Sequence, residues 1–197
     1  HIAIGCFLGI PLVLYHGWLL AAIGAAGFLI ALSYTASRFS LKYNAFGEAA
    51  VFTAFGPLAG SAAAVSATGT APVPTILISC GPGLLAASVL LINNIRDRKT
   101  DRKAGAVTIP VLIGRGKSVV LLFLLMLLPY SIVAGGVLYS LFHQYIMVVL
   151  LTLPLAGKIW LDVKGARTPG SYTAALKQTV VLHTAYVVFC TVSLVFT

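Results

Sequence analysis

The sequence predicts an all-α protein, a polytopic transmembrane bundle with seven helices in a single domain, and three observations carry that prediction. Of 197 residues, 59% are hydrophobic and only 9% are charged, with a mean hydropathy of +1.02; a soluble domain carries roughly a quarter charged residues. The apolar residues form long unalternating runs. In hydrocarbon every backbone polar group needs an internal partner, which leaves helices or a closed barrel, and runs without alternation select helices. Finally, the charged residues fall only in alternate connections between the runs.

The apolar segments are 2–15, 17–34, 46–68, 72–92, 118–141, 145–163 and 172–197. A spanning helix needs about 20 residues, with a range of about 17–25. The first segment is short and ends at "LYHGW", where His16 and Gly17 suggest a tight turn into the second. Pro11, Pro57, Pro82, Pro129 and Pro154 lie inside segments. Kinks are expected there, tolerated where neighbouring helices satisfy the freed carbonyls. No short-period repeat and no low-complexity linker divides the chain.

The connection 35–45 holds two cations, Arg38 and Lys42. The connection 93–117 holds seven, and the last connection with its flanks holds Lys158, Lys164, Arg167 and Lys177, which completes the 13 Lys and Arg of the chain. Glu48, Asp97, Asp101 and Asp162 follow the same alternation. The connections at 15–17, 65–72 and 142–144 contain no Asp, Glu, Lys or Arg. Seven helices threading back and forth put these two sets of loops on opposite faces. The positive-inside rule makes the charged face cytoplasmic and leaves Thr197 outside. That rule also accounts for most single Lys and Arg residues without any binding role. It does not account for the carboxylates.

Several chemistries are not signalled. Cys6, Cys80 and Cys190 lie far apart in apolar segments and read as small packing residues. The four histidines form no HxxxH or HExxH pattern, so a zinc-type site is not expected. No Gly-rich phosphate loop, GxSxG or CxxC is present. No basic region precedes the first apolar run, so no signal peptide is recognisable.

The chemistry concentrates in "NNIRDRKTDRKAG" at residues 93–105. If the fourth segment continues as helix past Ile92, Asn93, Asp97 and Asp101 stand at i, i+4 and i+8 on one polar stripe. Two carboxylates and an amide oxygen are hard ligands of the kind Mg²⁺ takes, with phosphate oxygens and water completing its shell. Arg96, Arg102 and Lys103 surround the stripe with positive charge. Such a set suits a diphosphate bridged to the protein by Mg²⁺, because the metal reverses the repulsion between carboxylates and phosphate. The same spacing also describes a solvated helix end laced with ion pairs, each contributing about 0.2–0.5 kcal/mol. The position beside an apolar interior favours a site for a charged head and a hydrocarbon tail. Gly105 is expected to end the helical stripe as a cap.

With these residues in view, "NNIRDRKTDRKAG" followed by "TIPVLIG" resembles the second Asp-rich motif of the UbiA superfamily of membrane prenyltransferases. The form NNxRDxxxDxxxG resembles most the 1,4-dihydroxy-2-naphthoate polyprenyltransferase branch of menaquinone biosynthesis. "SYTASRFSLKYNAFGEAAVFTAFG" resembles that branch's earlier loop, so the resemblance covers about Tyr34 to Gly114. It implies a nine-helix fold with two Asp-rich motifs on the cytoplasmic side. Seven helices are present here, so two helices and the first motif are expected upstream of His1. It implies Asp97 and Asp101 as catalytic Mg²⁺–diphosphate ligands with Asn93 beside them. Asn94, Arg96, Arg102 and Lys103 flank the diphosphate. Tyr34 and Arg38 resemble the family's YxxxK element with Arg in place of Lys, and Lys42 is a further diphosphate candidate. Glu48 matches the branch's Gly-Glu, and equally fits a first-turn acid favoured by the helix dipole. Tyr34 equally fits an interfacial belt aromatic. Ala106 and Val107 stand where the branch usually carries Lys-Arg, which removes two positive charges.

The resemblance therefore implies Mg²⁺-dependent transfer of a polyprenyl group from its diphosphate to an aromatic acceptor, with demethylmenaquinone, CO2 and pyrophosphate as products. The partners it implies are polyprenyl diphosphate, the acceptor and the bilayer, with no nucleic acid. The expected location is a bacterial inner or plasma membrane. Another aromatic acceptor, such as 4-hydroxybenzoate or a chlorophyll-type ring, is the alternative enzyme. A transporter or channel using the acidic pair as a cation site is the alternative class, although such proteins usually place ionisable groups at membrane depth. His183 is the one such group well inside a segment.

Overall fold

The computed structural model describes residues 2–35 and 40–196, and the described residues form helices and their connections with no strand. Two helices, α1 (Ile2–His16) and α2 (Trp18–Thr35), form the N-terminal pair. Five longer spans follow: α3 (Gly47–Thr68), α4 (Val73–Lys103), α5 (Ile109–Leu138), α6 (Gln144–Gly165) and α7 (Pro169–Val195). All five are long and apolar enough to cross a bilayer, and α2 contributes a shorter apolar helix. Gly17, at φ +77°, is the single break between α1 and α2, as the "LYHGW" turn suggested.

The boundaries of one connection differ from the sequence reading. By hydropathy residues 93–117 form the connection, with the helix continuing through the stripe to a cap at Gly105; α4 does run to Lys103, while α5 begins at Ile109, well before residue 118. Hydropathy marks where the chain leaves hydrocarbon, which is not where the helix ends. Residues 93–103 contain no Gly or Pro and are rich in straight-chain Arg and Lys, so the helix continues into the polar phase. At 31 residues, α4 is about 46 Å long against a hydrocarbon core of about 30 Å. Its last turns therefore project beyond the core.

Gly105 stops the helix. It takes φ +74°, its N–H reaches the Arg102 carbonyl at 3.3 Å, and the Ala106 N–H reaches the Asp101 carbonyl at 2.9 Å. These are the two bonds of a Schellman cap, which needs the left-handed residue that glycine supplies without a Cβ penalty.

Proline acts unevenly. In α3 a π-turn at Ala54–Leu58 contains Gly56 at φ −109°, ψ −108°, next to Pro57. In α6 the first stretch, Gln144–Thr152, is a 3₁₀-helix, and the α-helix resumes at Leu153 with Pro154 in its first turn. Pro lacks the N–H that would continue the ladder, so the winding changes where it enters. Helical dihedrals continue through Pro82 and Pro129, and α5 instead bends at Gly114, φ +78°, ψ 166°.

The core lies among α4–α7. Leu85, Leu91, Ile92, Leu122, Val133, Ile159, Leu182 and Tyr186 are fully buried there. Leu14, Trp18, Leu29, Leu124, Leu161 and Val195 are exposed, as side chains facing lipid would be. Between helices in lipid, close backbone approach replaces hydrophobic drive. The closest approach joins α3 to α4: a Cβ built on Gly83 would lie 2.6 Å from the Gly56 Cα and 2.7 Å from the Phe52 carbonyl.

The two ends of the bundle differ in charge. At one end Pro74, Leu141, His143 and Ser193 share a depression without Lys, Arg, Asp or Glu. At the other, the charged connections meet. The Val107 N–H bonds the Tyr43 carbonyl at 2.9 Å, and Arg115 reaches the carbonyls of Val163, Lys164 and Ala166 at 3.0, 2.9 and 3.0 Å.

Candidate functional site

Because α4 is continuous, Asn93, Asp97 and Asp101 do lie on one stripe of a single helix. Asn93 sits half-buried at the membrane end of the stripe. It lines an apolar cavity of about 330 Å³ with Val51, Phe55, Ala86, Leu90 and His183. Asp101 sits at the polar end and lines a depression of about 510 Å³ with Tyr43, Asn44 and residues 104–107. Ala45, at φ +60°, turns the chain there and helps bring Asn44 alongside Val107.

The two carboxylates differ electrostatically. Arg96 grips Asp97 bidentately, with Nε and Nη2 each donating at 2.8 Å. That guanidinium holds the Asp97 carboxyl below the usual range. Partial burial, and then the charge on Asp97, push Asp101 up. The Thr108 hydroxyl, donating to Oδ2 at 3.5 Å, and Lys42 pull it back. The arrangement thus brings Lys42 from the α2–α3 connection into the field of Asp101. Lys42 also acts on the Tyr34 hydroxyl, as does Glu48.

Tyr34 lines a second apolar cavity of about 460 Å³, between α2 and α3. Val51 and Phe55 line both apolar cavities, so these two side chains form the wall between them. The charged stripe is therefore continuous with apolar space on its membrane side.

Other predicted residues face elsewhere. Asn94 is buried at 8% exposure and its Nδ2 donates to Glu48 Oε1 at 2.9 Å, so it joins α4 to α3. Glu48 is 5% exposed, and this bond is more than a first-turn dipole contact. Arg102 is exposed and donates to the Val111 carbonyl at 3.1 Å, and Lys103 is exposed. Arg96, besides holding Asp97, lines a separate depression with Arg98, Lys99, Arg115 and Arg167. Arg38 lies outside the described residues.

Sequence reasoning passed over Tyr43, Asn44 and Phe55. An Asn in a turn and an aromatic directly before a Gly-Pro carry little signal on their own. His183 was visible as a lone ionisable group in an apolar segment, but its position beside Asn93 depends on how α7 packs against α4.

Among the described residues no group of three His, Cys, Asp or Glu converges to hold a metal. The stripe offers two carboxylates and one amide oxygen. That donor set fits a hard cation that takes one or two carboxylates and completes its shell with phosphate and water. The Arg96–Asp97 pair, at 27% and 44% side-chain exposure, contributes only about 0–1 kcal/mol at such exposure. It exchanges readily for another partner.

A 1,4-dihydroxy-2-naphthoate octaprenyltransferase of Bacillus subtilis (strain 168) is 28% identical over 183 residues, 93% of this chain and 59% of its own length. The Drosophila melanogaster homologue of UbiA prenyltransferase domain-containing protein 1 is 36% identical over 141 residues, 71% and 38% of the two chains. The Homo sapiens protein of that name is 35% identical over 149 residues, 74% and 41%. The chain spans at most 59% of the length of these relatives. A solved chain from work on digeranylgeranylglyceryl phosphate synthase superposes with a TM-score of 0.72 at 16% identity. It covers 97% of this chain and 67% of its own, and the two share the fold. The UbiA prenyltransferase family matches residues 2–177, from α1 into α7 and across the whole acidic stripe, and the chain belongs to that family.

Proposed function

We propose that this chain belongs to a metal-dependent prenyltransferase, which transfers a polyprenyl group from its diphosphate to an aromatic acceptor. One observation carries the reading. The acidic stripe of α4 stands where the helix leaves hydrocarbon, with an apolar cavity of about 330 Å³ at Asn93 and a second of about 460 Å³ on the other side of Val51 and Phe55. An amphiphile with a diphosphate head and an isoprenoid tail matches that polarity.

Asp97 and Asp101 would hold Mg²⁺ with Asn93 beside them. Family members generally use a divalent metal, and the donor set favours Mg²⁺. When bound, the ion supplies positive charge against the diphosphate. Lys42 neutralises charge on the departing diphosphate, and Arg96, released from Asp97, does the same. Loss of pyrophosphate leaves the allylic carbon cation-like. Val51 and Phe55 line apolar space that keeps water from it. The acceptor ring carbon attacks the allylic carbon, and the group on that ring carbon departs.

For 1,4-dihydroxy-2-naphthoate that group is the carboxylate, leaving as CO2 with its bonding electron pair returned to the ring, and the products are the hydroquinone form of demethylmenaquinone, CO2 and pyrophosphate. The similarity to the Bacillus subtilis protein supports this acceptor. The 35–36% identity to UbiA prenyltransferase domain-containing protein 1, with Ala106 and Val107 in place of Lys-Arg, favours a different aromatic acceptor as the second reading. An acceptor panel with one polyprenyl diphosphate separates them. A second acidic segment in the full-length protein would complete the metal site. The charged end, rich in Lys and Arg, would face the cytoplasm.

The direct test is Asp97→Asn in the full-length protein. Pyrophosphate release should fall about 10²–10³-fold, with membrane insertion and monodispersity unchanged. Normal turnover would remove Asp97 from the metal role.

A further inference from the structure

We infer that the back face of α4 carries a second anion site, built for a phosphate group at the membrane surface and distinct from the acidic stripe. Lys99 follows Asp97 by two residues, which places it about 160° around the helix from it. On that side Arg96, Arg98 and Lys99 meet Arg115 from α5 and Arg167 from the α6–α7 connection, around one depression of about 360 Å³.

Of the five cations only Arg96 has an acid partner among the described residues. The chain has four carboxylates. Glu48 is bonded by Asn94, Asp97 by Arg96 and Asp162 by Lys158. Asp101 faces the opposite depression, with Tyr43 and Asn44. Arg98, Lys99 and Arg167 make no ion pair among the described residues. Topology asks for cations in a connection, but it does not ask three elements to aim them at one hollow.

The hollow is also held in shape. Arg115 donates to the Tyr172 hydroxyl at 3.0 Å and to three carbonyls at the end of α6, which fixes its floor. The N-terminus of α7 opens onto it, with Thr168 and Pro169 in the lining, and adds positive dipole. Guanidinium groups suit phosphate because their N–H forks match its oxygens. Ile95, Pro169 and Tyr172 complete the wall with apolar surface, as the glyceryl region of a phospholipid would need. The ligand class is therefore a phosphate, supplied by an anionic lipid headgroup or by free phosphate or pyrophosphate.

The test uses the full-length protein in mixed micelles and native mass spectrometry, with no prenyl substrate, so its outcome is independent of the transferase reading. The probes are phosphatidylglycerol, phosphatidylcholine and inorganic pyrophosphate. The variant is Arg98→Gln/Lys99→Gln/Arg167→Gln, and Lys117→Gln/Lys164→Gln/Lys177→Gln controls for net charge. Retention of phosphatidylglycerol over phosphatidylcholine should fall roughly fivefold per lost cation, so about a hundredfold in the variant, and little in the control. Pyrophosphate retained in place of lipid, and lost in the same variant, assigns the site to free phosphate. Equal retention by variant and control, or equal loss in both, overturns the inference and leaves these cations a topological role.

Discussion

Removing the Glu48–Asn94 hydrogen bond should destabilise the α3–α4 junction by an amount that can be worked from its geometry. The bond is 2.9 Å long, and its residues are 5% and 8% exposed. A hydrogen bond to a charged group contributes about 1.5–3 kcal/mol, and a buried group left unsatisfied costs about 1–3 kcal/mol. Glu48→Ala strands the Asn94 amide and should cost about 2 kcal/mol. Asn94→Ala leaves the buried carboxylate with only its own backbone N–H as partner and should cost about 2–3 kcal/mol. The double alanine variant removes both groups, so it should lie below the sum of the singles, with a coupling energy of about 1.5–3 kcal/mol. Glu48→Gln keeps an oxygen acceptor and should recover more than half of the loss. The assay is reversible unfolding by SDS titration in mixed micelles, followed by circular dichroism. A coupling below about 0.5 kcal/mol, or a Gln variant as unstable as the Ala variant, would refute the argument.

Two further outcomes follow from packing and capping. Gly83→Ala would press a methyl to 2.6 Å from the Gly56 Cα; the helices must part by nearly an ångström, costing about 1–3 kcal/mol, and Gly83→Val should be worse in the same SDS titration. Arg115→Lys cannot reproduce a fork that binds Tyr172 and three carbonyls together; a loss of about 1–3 kcal/mol is expected, with faster hydrogen exchange at 163–168 as its signature.

Much of the fold was legible because the bilayer simplifies the problem. Long apolar runs can only be helices, and alternating charge counts the crossings without reference to hydropathy. The stripe was legible for a similar reason: i, i+4, i+8 spacing needs only that α4 stay helical past Ile92. The Gly105 cap was legible too, but the start of α5 at Ile109 was not, since hydropathy reports the solvent around a residue and a helix can begin before its apolar run does. Nor was the winding of α6, where a single Pro154 could mean a kink, a break or, as found, a change from 3₁₀ to α.

The sequence by itself determined an all-helical membrane bundle, the segregation of its charge to one end, and a polar stripe of Asn93, Asp97 and Asp101 on one helix. These depend on composition and on periodicity along one chain segment. Tertiary structure alone decided which neighbours on α4 serve which surface. Asn94, adjacent to Asn93, turns inward to Glu48, 46 residues away. Arg96, adjacent to Asp97, both grips that carboxylate and lines the basic hollow behind it. Successive helical residues point about 100° apart. A one-residue step therefore changes the partner entirely, and the partner is chosen by packing between helices that are distant in sequence.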